Sequence, residues 1–403
     1  MNGAGTRVNL PLEGVRVIAV EQYGAGPWGS LYLADLGAEV IKIENPKDGG
    51  DVGRSVGPHF FGSQDSHFFQ TFNRNKKSFT LDLKAPGARE VLHDLVRSAD
   101  AVLDNLRGDL PGRLGVTYEQ LKAANPRIVC AHLSAYGRDG PRAAWPGYDY
   151  LMQAETGLMS LTGEPDGPPC KFGVSIVDLV TGLTAAFALL AALTGARATG
   201  VGRDIDVSLF DVALHNLNYP ATWYLNAAVV QGREARSAHP SLTPSQLYRT
   251  RDGWIMIMCN KERFWQVLAN ELGRPDWIAD PRFVDYAARL ANRATLEQAL
   301  DEALQHDTTA HWLQRFAGKV PAAPVNDIAQ ALDGEFVRAR GNVRAYRYGD
   351  DRVARMVANP VHPGGAELPQ QAAPELGAHT DEVLAALGYD RARIAELRRQ
   401  GVI

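Results

Sequence analysis

The first 137 residues alternate short β-branched runs with helical segments, and that alternation admits few folds. VRVIAV (15–20), AEVIKIE (38–44), SFTLDL (78–83), AVLDNL (101–106) and RIVCAHLSAYG (127–137) read as strands. Between them stand GPWGSLYLADLGA, APGAREVLHDLVRSAD (85–100) and VTYEQLKAANP (116–126), all with helical spacing. Near-continuous apolar strands belong to a sheet covered on both faces, and strands separated by helices join in parallel. The expected class is α/β, with a Rossmann-like large domain built on a parallel sheet.

A chain of 403 residues exceeds one ordinary core. RDIDVSLFDVALHNL (203–217) is a further strand running into a helix. Beyond it, SQLYRT and WIMIMC flank RDG (251–253), a hairpin signal because Asp-Gly accepts positive φ. KERFWQVLANELG (261–273) and ATLEQALDEALQ (294–305) read as helices. The expected layout is a large domain over 1–218, a smaller α+β domain over 219–325, and a return connection over 326–403. The stretch 326–375, rich in Pro and Gly, reads as irregular, and the last 25 residues as a helical tail that completes the large domain.

Composition excludes several function classes. The net charge is -4 with no basic block, so nucleic acid is not an expected partner. Cys130, Cys170 and Cys259 form no CxxC pair and no cluster with histidines, so neither a metal site nor a disulfide framework is expected. A reducing, cytoplasmic location fits. MNGAGTRVNLPLEG has no apolar core of a signal peptide. The run from Ile176 to Ala196 is long enough to span a membrane. It nevertheless carries Asp178, three threonines and many alanines, and stands alone in the chain. A buried central helix is the expectation, with no membrane partner.

Asp178 is the sharpest feature. Burying a lone carboxylate costs several kcal/mol, so the group must be partnered or have a task. One reading is a helix N-cap, whose carboxylate accepts backbone N–H bonds. The other is a desolvated carboxylate facing a pocket, and therefore nucleophilic. Both place it at a helix start. GAGP (24–27) opens the first helix, where glycines allow close approach of a ligand, although a strand-to-helix turn needs glycine in any case. NRNKKS (73–78) reads as a solvated loop or as a phosphate contact. Cys170 reads as a buried, inert thiol and His239 as a turn histidine. No GxSxG, HExxH or GKS motif is present.

Several separated segments resemble the class III CoA-transferases, the CaiB/BaiF type that includes formyl-CoA and carnitine CoA-transferases. They are LEGVRVIAVEQYGAGPWGSLYLADLGAEVIKIENP, FNRNKKSFTLDLKAPGAREVL, ADAVLDNLRGDLPGRLGVTYEQLKAANPRIV, SAYGRDGP, PGYDYLMQAETGLMSLTGEPDGPP, VDLVTGLTAAFALLAAL and LGAHTDEVLAALGY. They run in order along nearly the whole chain. The resemblance implies an interlocked homodimer, with a large domain made from both chain ends. It also implies acyl-CoA and a small carboxylic acid as partners, and no tightly bound cofactor, coenzyme A entering as substrate.

In that family an aspartate opening the central helix attacks the acyl-CoA thioester, and Asp178 occupies its position. A carboxylate nucleophile yields a mixed anhydride of high acyl-transfer potential, where a serine ester would waste the thioester energy. The resemblance assigns Asp149 a supporting role. It assigns CoA contacts to Tyr23, Gly24, Ala25, Leu81, Lys84, Asn105, Leu106, Arg113, Leu114 and Tyr148. Arg113 suits a phosphate because a guanidinium fork fits phosphate oxygens.

Two departures bear on the substrate. Formyl-CoA transferase has glutamine where Gly24 stands and arginine where Asn45 stands, and its run of four glycines is replaced here by AHPSLTPSQLY. The missing glutamine, a substrate contact in that enzyme, argues against oxalate. The expected reaction moves CoA from succinyl-CoA to a short dicarboxylate, with Lys171, His239 and Arg233 or Arg236 as candidates to hold a second carboxylate. Two alternatives stand. The α-methylacyl-CoA racemase branch has GHD where this chain has GYD (147–149), and Tyr148 is a poor base, with an unperturbed pKa of about 10. A non-catalytic CoA-binding protein would have no need of the Asp178 carboxylate. A dinucleotide enzyme would need GxGxxG as well as Glu44.

Overall fold

Six of the β-branched runs assemble into one parallel sheet. The strands are β1 Arg16–Val20, β2 Glu39–Glu44, β3 Lys77–Thr80, β4 Ala101–Asp104, β5 Val129–Ser134 and β6 Arg203–Ser208. Their order is β3-β2-β1-β4-β5-β6, and every neighbouring pair is parallel. The computed structural model describes residues 8–63, 65–349 and 351–403. Part of the segment read as lacking a signal peptide, residues 1–7, lies outside the described residues.

Alternate strand residues feed two cores, as a doubly covered sheet requires. Ile18, Ile41, Ile43 and Phe79 join Val91, Leu92 and Leu95 of α2 (Ala88–Arg97). Leu384 and Leu397, from the C-terminal helices Thr380–Ala386 and Arg391–Arg399, complete that face. The chain's two ends therefore build one core. On the other face Val17, Ala19, Val40, Leu103 and Val129 meet Leu33 and Ala34 of α1 (Ala25–Asp35). Leu189 and Leu193 of the long central helix, Ile176–Thr199, join them. The short helix α3 (Asp149–Glu155) precedes this central helix, α4.

α1 and α4 cross with almost no space between them. A Cβ on Gly29 would lie 2.5 Å from the Gly182 carbonyl oxygen, and a Cβ on Gly182 would lie 2.4 Å from that of Ala25. Only glycine allows this backbone contact. Among the described residues α4 is the one helix long and apolar enough to cross a membrane. Its Val177, Thr181, Gly182, Ala185, Leu189 and Leu193 are buried, while Leu183 and Phe187 are exposed.

The contacts divide the chain into two units. The first comprises the chain up to Thr156, Gly173–Asn216 and Phe336–Ile403; the second comprises Gly157–Phe172 and Leu217–Glu335. Segment 157–172, counted from sequence with the large domain, clusters with the second unit. There the Arg233 guanidinium donates to the carbonyls of Gly167 (2.6 Å) and Pro165 (2.9 Å). The second unit carries an antiparallel sheet of β7 (Ser245–Arg249), β8 (Trp254–Met258) and β9 (Ala322–Pro324). Its RDG turn closes the β7–β8 hairpin, and Tyr248, Ile257, Trp265, Leu300 and Phe316 fill its core.

Two local expectations differ from the structure. The helix read over 116–126 is confined to Tyr118–Leu121. The stretch 326–375 is not irregular throughout, since Val343–Arg347 pairs antiparallel with Val353–Val357. In NRNKKS, Arg74 pairs with Asp35 (2.7 Å) and Lys76 with Glu21 (2.9 Å), all four buried. This segment is neither a solvated loop nor a phosphate contact.

Gly182→Ala should destabilise the protein by about 1–3 kcal/mol or more, because the added methyl meets backbone. Gly195→Ala, in the same helix but with nothing within 4 Å of the added Cβ, should stabilise it by about 0.4–1 kcal/mol. Urea denaturation of both variants measures the contrast. Equal effects would mean that the close crossing does not bear on stability.

Candidate active site

Strand order reverses between β1 and β4, and in open α/β sheets ligands bind outside the carboxyl ends of the strands at that point. Two cavities lie there. One, of about 270 Å³, is lined by residues including Leu81, Lys84, Asn105, Leu106 and Leu114. The other, of about 420 Å³, is lined by residues including Tyr23, Gly24, Ala25, Trp145, Tyr148 and Asp178. Gln22, Asn105 and Leu106 form part of both walls. Eleven of the twelve residues proposed from sequence thus line these cavities or, for Asp149, lie directly behind Asp178. Arg113 does not: it stands exposed at the end of helix Leu110–Leu114, 3.4 Å from Asp109.

Asp178 sits in the first turn of α4, two residues after that helix begins. Ser175 holds the N-cap position, so the N-cap reading of Asp178 is corrected. Its backbone N–H instead donates to Asp149 Oδ2 at 2.9 Å. Asp149, at the start of α3, is buried and also accepts from Gln153 Nε2 (2.5 Å). One carboxylate therefore caps the helix and the other is left to face the cavity. Burial, then the neighbouring Asp149 charge, pushes the Asp178 carboxyl up to about 7. The N-terminal end of α4 favours an anion, but desolvation outweighs it.

The β1–α1 turn presses on this carboxylate. A Cβ on Gly24 would lie 2.9 Å from Asp178 Oδ2. Tyr23 before it adopts a φ of 69°, uncommon for a side chain of that size. Its N–H is held by Asp51 Oδ1 at 2.9 Å. Helix geometry leaves the first-turn amides of α1 without an intrahelical acceptor, which makes them available to a developing oxyanion.

Asn105 acts on the same turn. Its Oδ1 accepts from Gln22 N (2.9 Å) and its Nδ2 donates to Gln22 O (2.7 Å). Its side chain is thereby spent on the protein's own backbone. Beneath it, His132 bridges Asp104 (2.5 Å) and Asp204 (3.0 Å). Burial alone would depress the ring, but its bonds to those carboxylates outweigh burial and hold it at about 9. It is charged at neutral pH, and Asp104 in turn accepts from Leu106 N.

Sequence reasoning missed Gln22, Trp145 and Arg107 on the second cavity's wall. Arg107 is the one cation among its described lining residues, and it pairs with Asp109 (2.5 and 2.9 Å). The carboxylate-binding role expected of Arg233 and Arg236 meets competition. Arg233 is committed to carbonyls, and Arg236 pairs with Glu297 (3.0 Å) and Asp301 (2.6 Å). His239 Nδ1 accepts the amides of Ser241 and Leu242, both at 3.1 Å, in a turn. Lys171 is exposed. Among the described residues, no cluster of His, Cys, Asp or Glu is arranged to hold a metal.

The family model for CoA-transferase family III matches residues 12–380. Succinate–glutarate CoA-transferase of Agrobacterium fabrum is 35% identical over 94% of this chain and 96% of its own length. Acetyl-CoA:oxalate CoA-transferase of Acetobacter aceti is 37% identical over 90% of this chain and 91% of its own. The crystal structure of a CAIB/BAIF family protein from Brucella suis superposes with a TM-score of 0.82 at 34% identity. That match covers 94% of this chain and all of that one.

The Asp178 geometry predicts a pH signature. A carboxyl whose folded-state pKa is raised holds its proton more tightly folded than unfolded. Stability therefore falls as pH rises from about 4, the unfolded value, to about 7, the folded one. Asp178→Asn removes that slope. It should stabilise the protein at pH 8 by on the order of a few kcal/mol and have little effect at pH 4. Thermal melts at both pH values check this, and equal shifts would contradict it.

Proposed function

Because the chain belongs to CoA-transferase family III, we propose that it moves CoA from succinyl-CoA to a short dicarboxylate, with Asp178 as the nucleophile. The observation that carries the assignment of Asp178 is a buried carboxylate, free of capping duty, that faces the cavity at the sheet's reversal point. The dicarboxylate rests on the succinate–glutarate relative.

Ionised Asp178 attacks the thioester carbonyl; the C–S bond breaks and CoA leaves as thiolate, giving an acyl-aspartyl anhydride. First-turn amides of α1 receive the transient oxyanion. The acceptor carboxylate attacks the aspartyl acyl carbon, the bond from that carbon to the donor's oxygen breaks, and the donor acid leaves as its carboxylate, giving a second anhydride. The thiolate then attacks the acceptor's acyl carbon, breaking its bond to the aspartyl oxygen and freeing the carboxylate. Leu81, Lys84 and Leu114 line the cavity for the nucleotide end of CoA, while Tyr23 and Tyr148 flank the reacting end. Asp149 keeps Asp178 uncapped and weakly acidic. Arg107 is the cation on the cavity wall nearest to hand for the acceptor's distal carboxylate, which would have to compete with Asp109 for it.

An interlocked homodimer fits the apolar surface. Helix Asn218–Ala227 buries none of its residues although it carries Tyr219, Trp223, Tyr224 and Leu225. Phe187 of α4 is 74% exposed. A second copy of the chain would cover these side chains. The cysteines are unpaired, which suits a cytoplasmic location.

The test is a transfer assay with succinyl-CoA against a panel of glutarate, malate, mesaconate and oxalate. Transfer to at least one of the longer dicarboxylates, faster than to oxalate, is expected. Asp178→Ala should lower it by at least about 1,000-fold with CoA binding kept. Oxalate as the preferred acceptor would overturn the dicarboxylate reading. Near-normal turnover in Asp178→Ala would overturn the nucleophile. Absence of transfer combined with α-proton exchange in a 2-methylacyl-CoA would move the chain to the racemase reaction.

A further inference from the structure

Beneath the β1–α1 turn lies a cluster of charged side chains that the transfer steps do not use. Glu21, Lys42, Glu44, Asp51, Arg54 and Lys76 are each at most 5% exposed. Three acids meet three bases, so the cluster is neutral. Lys42 Nζ lies 2.8 Å from Asp51 Oδ2 and donates to the Glu21 carbonyl at 2.8 Å. Arg54 grips both oxygens of Glu44 (2.8 and 2.7 Å), and Glu44 accepts from Asp51 N (2.9 Å). Lys76 donates to Glu21 Oε1 (2.9 Å), Asn73 Oδ1 (3.0 Å) and the Pro27 carbonyl (2.9 Å). Burying so many charges is costly unless each is paired, and a hydrophobic packing would serve stability as well or better. The cluster's value must lie in where it holds the backbone.

Arg54 and Glu44 also reach Pro374 and Ser78, but several of the cluster's attachments fall on the β1–α1 turn and the start of α1. Asp51 holds Tyr23 N in its unusual conformation. Lys76 holds Pro27, and Glu21 takes the Ser30 hydroxyl at 2.6 Å. Gly24 lies between these tethers, a missing methyl away from Asp178. Asp51 is the member that holds the turn at Tyr23, the residue before Gly24, and it also closes the charge pair with Lys42.

We propose that Asp51 is a positioning residue for the transfer reaction: through Tyr23 N–H and Lys42 it holds the β1–α1 turn where Gly24 meets the Asp178 carboxylate. The role rests on Asp178 being the nucleophile, and Asp51 acts on it only through the turn.

Asp51→Asn tests it against Asp35→Asn, which also removes a buried, ion-paired carboxylate, at the far end of α1. Both should lower the melting temperature. Asp51→Asn should cut kcat by about 100-fold, the scale of a small misplacement at a reacting centre, with the acyl-CoA KM within about threefold. Asp35→Asn should leave kcat within about threefold. Asp51→Glu keeps the charge but lengthens the arm; it should fold and still lose kcat by about tenfold or more. Equal kcat losses in the Asp51 and Asp35 variants, or a loss confined to KM, would overturn the proposal.

Amide hydrogen exchange across residues 21–30 reads the tether without substrate. It should rise in the Asp51 variants and stay near wild type in Asp35→Asn, and unchanged exchange in the Asp51 variants would also overturn the proposal. A wild-type protein that transfers nothing from succinyl-CoA, with the exchange contrast intact, counts against the proposed function alone and supports the tether.

Discussion

The glycine-on-glycine crossing of α1 and α4 is the constraint on which the site depends. With Gly29 and Gly182 in backbone contact, the first turns of the two helices are brought together at the carboxyl ends of β1 and β4. One first turn supplies free amides and the other supplies Asp178. A single methyl at either glycine would force the helices apart and open the space beside the carboxylate. The sheet order then places a cavity over that point, because crossovers diverge on either side of β1. Fold and site share one geometric cause.

The electrostatics follow from that closeness. A carboxylate pressed against Gly24 and backed by Asp149 loses water on two sides and gains a repulsive neighbour, so its carboxyl rises to about 7. Such a group still ionises near neutral pH, and when ionised it is poorly solvated, which favours attack on a carbonyl. Elsewhere in the first unit buried charges are matched. Glu21, Glu44 and Asp51 face Lys42, Arg54 and Lys76, and Asp35 faces Arg74. Neither Asp178 nor Asp149 behind it has such a cation among its described partners. The Asp149 carboxylate is held by Gln153 and the Asp178 amide instead, which leaves Asp178 as the one that faces the cavity.

The six strands and the central helix were legible in the sequence, because apolar runs of that kind have few places to go. Asp178 was legible as a helix-start carboxylate, but its cap was not: the amide is bonded by Asp149, 29 residues earlier, and no local pattern reveals such a partner. Asn105 was recognised by family position, and the structure adds that its side chain also brackets the Gln22 backbone. NRNKKS looked exposed because three cations crowd into four residues. Their partners, Asp35, Glu21 and Glu382, come from distant segments. Arg233 and Arg236 misled for the same reason. Charge in a sequence says nothing of the partner that has already claimed it.

The central claim is that Asp178 becomes acylated. It is tested most directly by incubating the protein with succinyl-CoA and hydroxylamine and locating the trapped product by peptide mass spectrometry. The account predicts a hydroxamate on the side chain of Asp178, dependent on the thioester and absent when free succinate replaces it. A thioester-dependent hydroxamate on another residue, with Asp178 unmodified, would contradict it.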